Sequence, residues 1–349
     1  MTRHLMLGLL CTAWLYAAET PSSLMDDGHH KRLRAIAEQQ YRDHPNDPEA
    51  LWMMAFVKLS WGDHKMALEL AEKAADADPK NPRYRLRLAE AVGEEAQKAS
   101  ILRAPGLARR FKRELEATLA LDPNNVAAMK YLMMSYFEAP GIMGGDKAKG
   151  RATAEQITRI DPVEGYLAQS AVARYDKQES RIEPLLRKAV EAGPASYLAR
   201  VNLSNFCVES AKKFGEAEAL AREAIRIDKS RAGAHVALVA ALAAQDKWAE
   251  LDAALAQTER DVPDDLFPYA RAGLSSMGRP AEPGRTERHF RKYLTQEPEP
   301  YRVKQWWVHW RLGQVLEKQG RKPEAIAEFQ VSVELDPESP AKQDLKRLR

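Results

Sequence analysis

The chain is poor in the residues that carry covalent or metal chemistry. It has 2 cysteines in 349 residues, too few for a disulfide framework or a cysteine-rich zinc site. Cys11 lies in an N-terminal apolar segment, so removal of that segment would leave Cys207 as the one thiol and no internal disulfide. Cys207 falls in the apolar stretch from Val201 to Val208 and is read as a buried, inert side chain. Charge of one sign is also missing. With 53 basic and 50 acidic residues the formal net charge is +3, without the basic stripe of a nucleic-acid protein, so no nucleic-acid partner is expected. The longest apolar run, Leu5 to Ala18, has 14 residues, short of the ~20 that a membrane span needs. Sustained period-two alternation, the mark of half-buried strands, is absent. Neither a nucleophile elbow, an HExxH motif nor a Gly-Lys-Ser/Thr phosphate loop occurs. The expectation is a chain that is not an enzyme and holds no cofactor and no metal.

The N-terminus reads as an address. Arg3 and His4 precede the apolar run, and Ala17 and Ala18 supply small residues at its end, as in a secretory signal peptide over 1–18 cleaved near Ala18. Tyr16 is bulky for that site, and Leu10 before Cys11 departs from a lipoprotein signal. The expected location is periplasmic or secreted, with membrane attachment only through this segment if it is kept.

What the sequence does have is a period. Asp-Pro or a close relative recurs at Pro45, Pro79, Pro123, Pro162, Pro194, Pro263, Pro298 and Pro337, with Lys229 in the one vacant slot. The spacings run from 32 to 44 residues and cluster near 34. Proline suits that slot because it stops one helix and pre-sets the turn into the next. Within the period, Leu312-Gly313, Gly320, Ala325, Phe329 and Pro337 stand at the consensus positions of a tetratricopeptide repeat, as do Leu51, Gly62, Ala67, Ala71, Ala74 and Pro79. Ala217, Ala221 and Ala224 place small residues where two helices approach. Pro48, Pro82, Pro105, Pro184 and Pro323 are read as helix starts.

The chain therefore resembles the tetratricopeptide-repeat (TPR) family. The resemblance implies an all-α fold, a right-handed α-solenoid of antiparallel helix pairs. Eight repeats are expected over 46–337, after an N-terminal linker and capping helix over 19–45, with one helix at about 24–43. A C-terminal capping helix is expected over 338–349. The array is irregular at 98–106, at the loop Ala139-Pro140-Gly141-Ile142-Met143-Gly144-Gly145-Asp146-Lys147, and between Glu299 and Gln305. That loop, with the ending from Trp310 to Pro337, is similar to secreted bacterial members of the family. It is read as a turn in which glycine provides positive φ.

The resemblance implies a non-catalytic scaffold that binds a protein or peptide on its concave face. Carried onto this chain, the family's inner-face positions fall on Trp52 and Phe56, on Lys130, Met134 and Phe137, on Asn202 and Asn205, and on Trp307 and Trp310 beside Arg311. The aromatic residues among these are equally compatible with core positions. Docking by the convex face is the alternative. A metal-binding or enzymatic role would have to use His29 and His30 or the Gly141–Lys147 loop. Asp26, Asp27, His29 and His30 are read as a solvated helix start, and the Asp264-Asp265 pair as an exposed helix end.

Overall fold

A computed structural model describes residues 20–277 and 283–348. The expected signal peptide over 1–18, with Cys11, Ala17 and Ala18, lies outside the described residues. Every regular element among those described is helical, and none of the helices is long and apolar enough to cross a membrane. The chain enters through α1 (Pro21–Asp27) and α2 (His30–Asp43). Eight helix pairs follow: α3 (Pro48–Ser60) with α4 (His64–Ala77), α5 (Pro82–Lys98) with α6 (Ala104–Leu121), α7 (Val126–Glu138) with α8 (Lys147–Ile160), and α9 (Pro162–Tyr175) with α10 (Glu179–Ala192). They continue with α11 (Tyr197–Glu209) and α12 (Phe214–Ile227), α13 (Ala232–Ala244) and α14 (Trp248–Asp261), α15 (Phe267–Ser276) and α16 (Pro283–Tyr293), and α17 (Gln305–Lys318) and α18 (Lys322–Leu335). A last helix, α19 (Ala341–Leu348), packs on α18. The protein is an all-α solenoid.

The recurring Asp-Pro has a local cause. The Asp78, Asp122 and Asp336 carboxylates accept hydrogen bonds from the backbone N–H two residues on, at 3.3, 3.2 and 2.8 Å, closing the turn between repeats. Asp228 makes the same bond to Ser230 at 3.0 Å, which explains why Lys229 can stand where the other turns have proline. Asp47, Asn81, Asn125, Asp161 and Ser196 then cap the next first helix through their side chains. Between the two helices of a repeat the chain passes through a left-handed residue, Gly62 and Gly320 in repeats one and eight, Lys177, Lys212 and Asp246 in repeats four, five and six.

Small residues let the helices close. Ala67, Ala71 and Ala74 of α4 are fully buried, and a Cβ on Gly313 of α17 would stand 2.5 Å from the Phe329 ring of α18. Cys207 is buried as expected, and burial pushes its thiol up to about 11, so it stays protonated and unreactive at neutral pH.

Several sequence expectations are corrected. Pro184 lies inside α10 and does not start it. The single helix expected at 24–43 is two helices, broken at Gly28, whose φ of +87° only glycine adopts without strain. His29 and His30 are buried, not solvated, and Asp265 is buried while Asp264 is largely so. The burial of His29 and Asp264 has one cause: α1 and α2 pack against residues 263–302, a contact the local sequence does not announce.

Candidate functional site

First helices of successive repeats pack side by side, α3 on α5, α7 on α9, α11 on α13 and α13 on α15, and form one curved wall. α1 and α2 lie inside the curve. Leu24 and Leu33 are buried within the repeat-one core, and the His30 ring meets Phe56 edge-on at 5.0 Å. From there the two helices reach across to residues 263–302. His29 Nδ1 donates to Asp264 at 2.8 Å and Arg32 Nε to the same carboxylate at 2.9 Å. The Lys31 backbone N–H donates to Glu299 at 3.0 Å, and its ammonium to Gln296 at 2.8 Å. Arg34 and the Trp61 indole both donate to Glu297, and the Arg34 guanidinium lies 4.4 Å over the Trp61 ring. Arg231 pairs with Asp27 at 3.2 Å.

Two acids of this seam show opposite shifts. Burial alone would raise the Asp264 carboxyl, but the hydrogen bond from His29 and the charges of His29 and Arg32 outweigh it and bring it down to about 2. Glu299 is buried more deeply, with one oxygen lacking a partner. Burial pushes it up to about 7 against the opposing pull of Lys31.

Beside the seam the wall opens into a cavity of about 600 Å³, within the range of sites that hold a small ligand or one large side chain. Phe56 and Leu59 of α3, Phe111 of α6, Tyr131 and Met134 of α7 and Met143 of the glycine-containing loop give it an apolar interior. Glu90 and Glu94 of α5 and Glu138 of α7 bring carboxylates to it. Tyr301 closes one side. Its backbone is left-handed (φ 65°), its side chain is largely exposed, and its hydroxyl donates weakly to Ser60 at 3.4 Å. Arg87 is pinned inside, 4.7 Å over the Phe56 ring and paired with Glu90. The charge of Glu90, with burial and a hydrogen bond, raises the Tyr131 hydroxyl and keeps it protonated.

The Ala139–Lys147 loop shapes the cavity's edge. A Cβ on Gly145 would fall 1.8 Å from the Ala139 carbonyl oxygen, so the loop can fold back only through glycine, and Gly144 supplies the positive φ. Asp146 then caps α8, accepting from the Ala148 and Lys149 amides at 3.0 and 3.1 Å.

Of the residues expected on the inner face, Phe56 and Met134 meet in the cavity. Trp52 is buried beneath Arg83, whose guanidinium lies 4.1 Å over its ring. Lys130 is paired with Glu164 at 2.9 Å. Phe137 stacks on Tyr175 at 4.9 Å. Asn202 is exposed and bonds back to the Leu198 carbonyl at 2.9 Å, and Asn205 is half-buried. Trp307 and Trp310 are half-buried, edge to face at 6.3 Å, with Arg311 over both rings. The Trp310 indole donates to Asp344 of α19 at 2.8 Å.

Reasoning from sequence missed Arg87, Glu90, Glu94, Phe111, Tyr131 and Tyr301. Glu90 was within reach, since it stands one period of 34 residues after Phe56. Tyr301 was not, because its place depends on how far the array curves. Among the described residues no three metal-ligating side chains gather into a site.

Tetratricopeptide-repeat family profiles match residues 48–81 and 306–339. No curated protein matches the chain. Solved structures similar to it include TTC0263, a thermophilic TPR protein of Thermus thermophilus, at 20% identity over 53% of this chain and 94% of that one (TM-score 0.46). The type IV pilus biogenesis factor PilW aligns at 18% identity over 64% of this chain and 98% of its own (TM-score 0.48). A human IFIT1 dimer with PPP-AAAA aligns at 14% identity over 90% and 81% (TM-score 0.46).

Proposed function

We propose that this tetratricopeptide-repeat protein, a protein-interaction scaffold, binds a segment of its partner on the concave face, at the cavity between repeats one and three. The observation that carries the reading is the cavity itself. It is an apolar recess large enough for one big side chain, set in the wall of first helices and bordered by exposed residues such as Met134 and Tyr301. Repeat scaffolds bury a few anchor residues in such recesses, and those anchors hold most of the binding energy. The role is non-catalytic, and the partner is a protein, not a nucleic acid. We place the protein in the cell envelope, on the basic n-region, short apolar run and small residues of 1–18. Amino-terminal sequencing of exported protein should begin after Ala17 or Ala18, and an intact Met1 would overturn that location.

A photo-crosslinking side chain at position 134 tests the binding face. The partner it captures, once purified, should bind wild type at least about tenfold more tightly than Met134→Glu. Equal affinity would remove the concave face from consideration. A second reading, docking by the convex face, is favoured by an open groove of about 810 Å³ between α12 and α14, lined by Ile225, Leu238 and Ala254. The exposed Met66, Leu121, Ile227 and Leu335 sit on the second helices of four different repeats, one to each, and single exposed apolar residues are ordinary.

A further inference from the structure

This protein has a repeated way of holding a guanidinium, between an aromatic face and a carboxylate. Arg83 lies 4.1 Å over Trp52 and pairs with Glu49 at 2.9 Å. Arg34 lies 4.4 Å over Trp61 and pairs with Glu297 at 2.9 Å. Arg231 lies 4.2 Å over Tyr197 and pairs with Asp27, and Arg302 lies 5.1 Å over Phe267 and pairs with Asp265 at 2.8 Å. In the cavity, Arg87 repeats the arrangement with Phe56 and Glu90.

The rest of the cavity assembles the same parts without the cation. Phe111, Tyr131 and Tyr301 supply rings, and Glu94 and Glu138 supply carboxylates. Glu94 has no ion-pair partner among the described residues, and Glu138 accepts only the neutral Tyr175 hydroxyl, at 2.6 Å. With Glu90 neutralised by Arg87, two negative charges remain on an aromatic-walled recess. Nearby lysines are turned elsewhere, Lys98 to His64 and Lys112 to the Tyr136 ring and Glu116.

We propose that the cavity takes an arginine side chain from an extended segment of the partner, which rests on the concave-face reading above. The methylenes lie against Phe111 and Met134, and the guanidinium faces Glu94 and Glu138. Arginine fits better than lysine, because its planar group stacks on rings and offers two parallel donors to a carboxylate.

The probe is a fluorescein-labelled peptide, Gly-Ser-Leu-Arg-Leu-Ser-Gly, with versions in which arginine becomes citrulline or glutamate, titrated into the full protein and followed by anisotropy. Citrulline keeps the shape and removes the charge. The arginine peptide should bind about tenfold more tightly than the citrulline one, and the glutamate peptide more weakly still. In the double variant Glu94→Gln/Glu138→Gln, with an unchanged melting curve, the first two should come within about twofold of each other. Equal binding of arginine and citrulline by wild type, or no binding of the arginine peptide, would overturn the proposal. So would acetyl-arginine amide binding as tightly as the whole peptide, since the segment would then add nothing. If the arginine preference fails while Met134→Glu still releases the crosslinked partner, the concave-face reading stands alone. If Met134→Glu leaves that partner bound, both fall.

Discussion

The seam around α1 and α2 and the cavity between repeats one and three are built of the same materials on the same wall, and they differ in who supplies the cation. In the seam, Arg32, Arg34, Lys31 and Arg231 come from the chain itself and meet Asp264, Glu297, Gln296 and Asp27. In the cavity, Glu94 and Glu138 share the lining with aromatic rings, and no described arginine pairs with either. A solenoid's inner face is one surface chemically. The part covered by its own N-terminal helices is tied by ion pairs within the chain and is structural, and the part left open can take a cation from elsewhere.

The sharpest test of the contrast is Trp52, which lies at the junction of the two regions under Arg83. Trp52→Ala should cost ~3–5 kcal/mol of stability, as for a buried aromatic, measured by chemical denaturation. A loss below ~1 kcal/mol would return Trp52 to the open part of the groove.

Glu299→Gln probes an unfavourable feature of the seam. Because burial raises this acid from 4.5 to about 7, the folded protein binds more protons than the unfolded chain between those values. The carboxyl therefore lowers stability as pH rises through that window, by ~3 kcal/mol once above it. Glutamine still accepts the Lys31 amide, so the variant should be more stable than wild type at pH 8 and no more stable at pH 4.5. A gain independent of pH would contradict the assignment.

Asp264→Asn should act in the opposite sense and somewhat less. Its depressed carboxyl, at about 2 in place of 3.8, contributes ~2 kcal/mol that is fully present above pH 3.8 and lost as pH falls toward 2. The difference between wild type and variant should therefore shrink over that interval, and a constant difference would show that the charge is not what matters.

Smallest of all, Glu94→Gln should leave the melting temperature within the range expected of a change of ~0.5 kcal/mol or less, because among the described residues it has no ion-pair partner. A large destabilisation would make Glu94 part of the fold and erase the contrast with the seam.

Much of the fold was legible in sequence because its determinants are local and repeated. Asp-Pro turns, N-capping Asp and Asn residues and the Gly313–Phe329 contact each recur or act within one repeat, so the period displays them. Pro184 misled because a proline in the first turns of a helix and one a few residues further in look alike in sequence. The reading of His29 and Asp264 as solvated failed for a different reason: the two stand 235 residues apart, and no periodicity encodes a contact between such distant parts of a superhelix.

The sequence alone determined the helix pairs, their turns and the small residues that let them close, since each depends on neighbours within about one repeat. Only the tertiary structure decided which inner-face residues are core and which remain open. That outcome depends on the accumulated curvature of the array, which brings Tyr301 to Ser60 and seats α1 and α2 against residues 263–302, and curvature is a sum over many small interhelical angles that no single residue specifies.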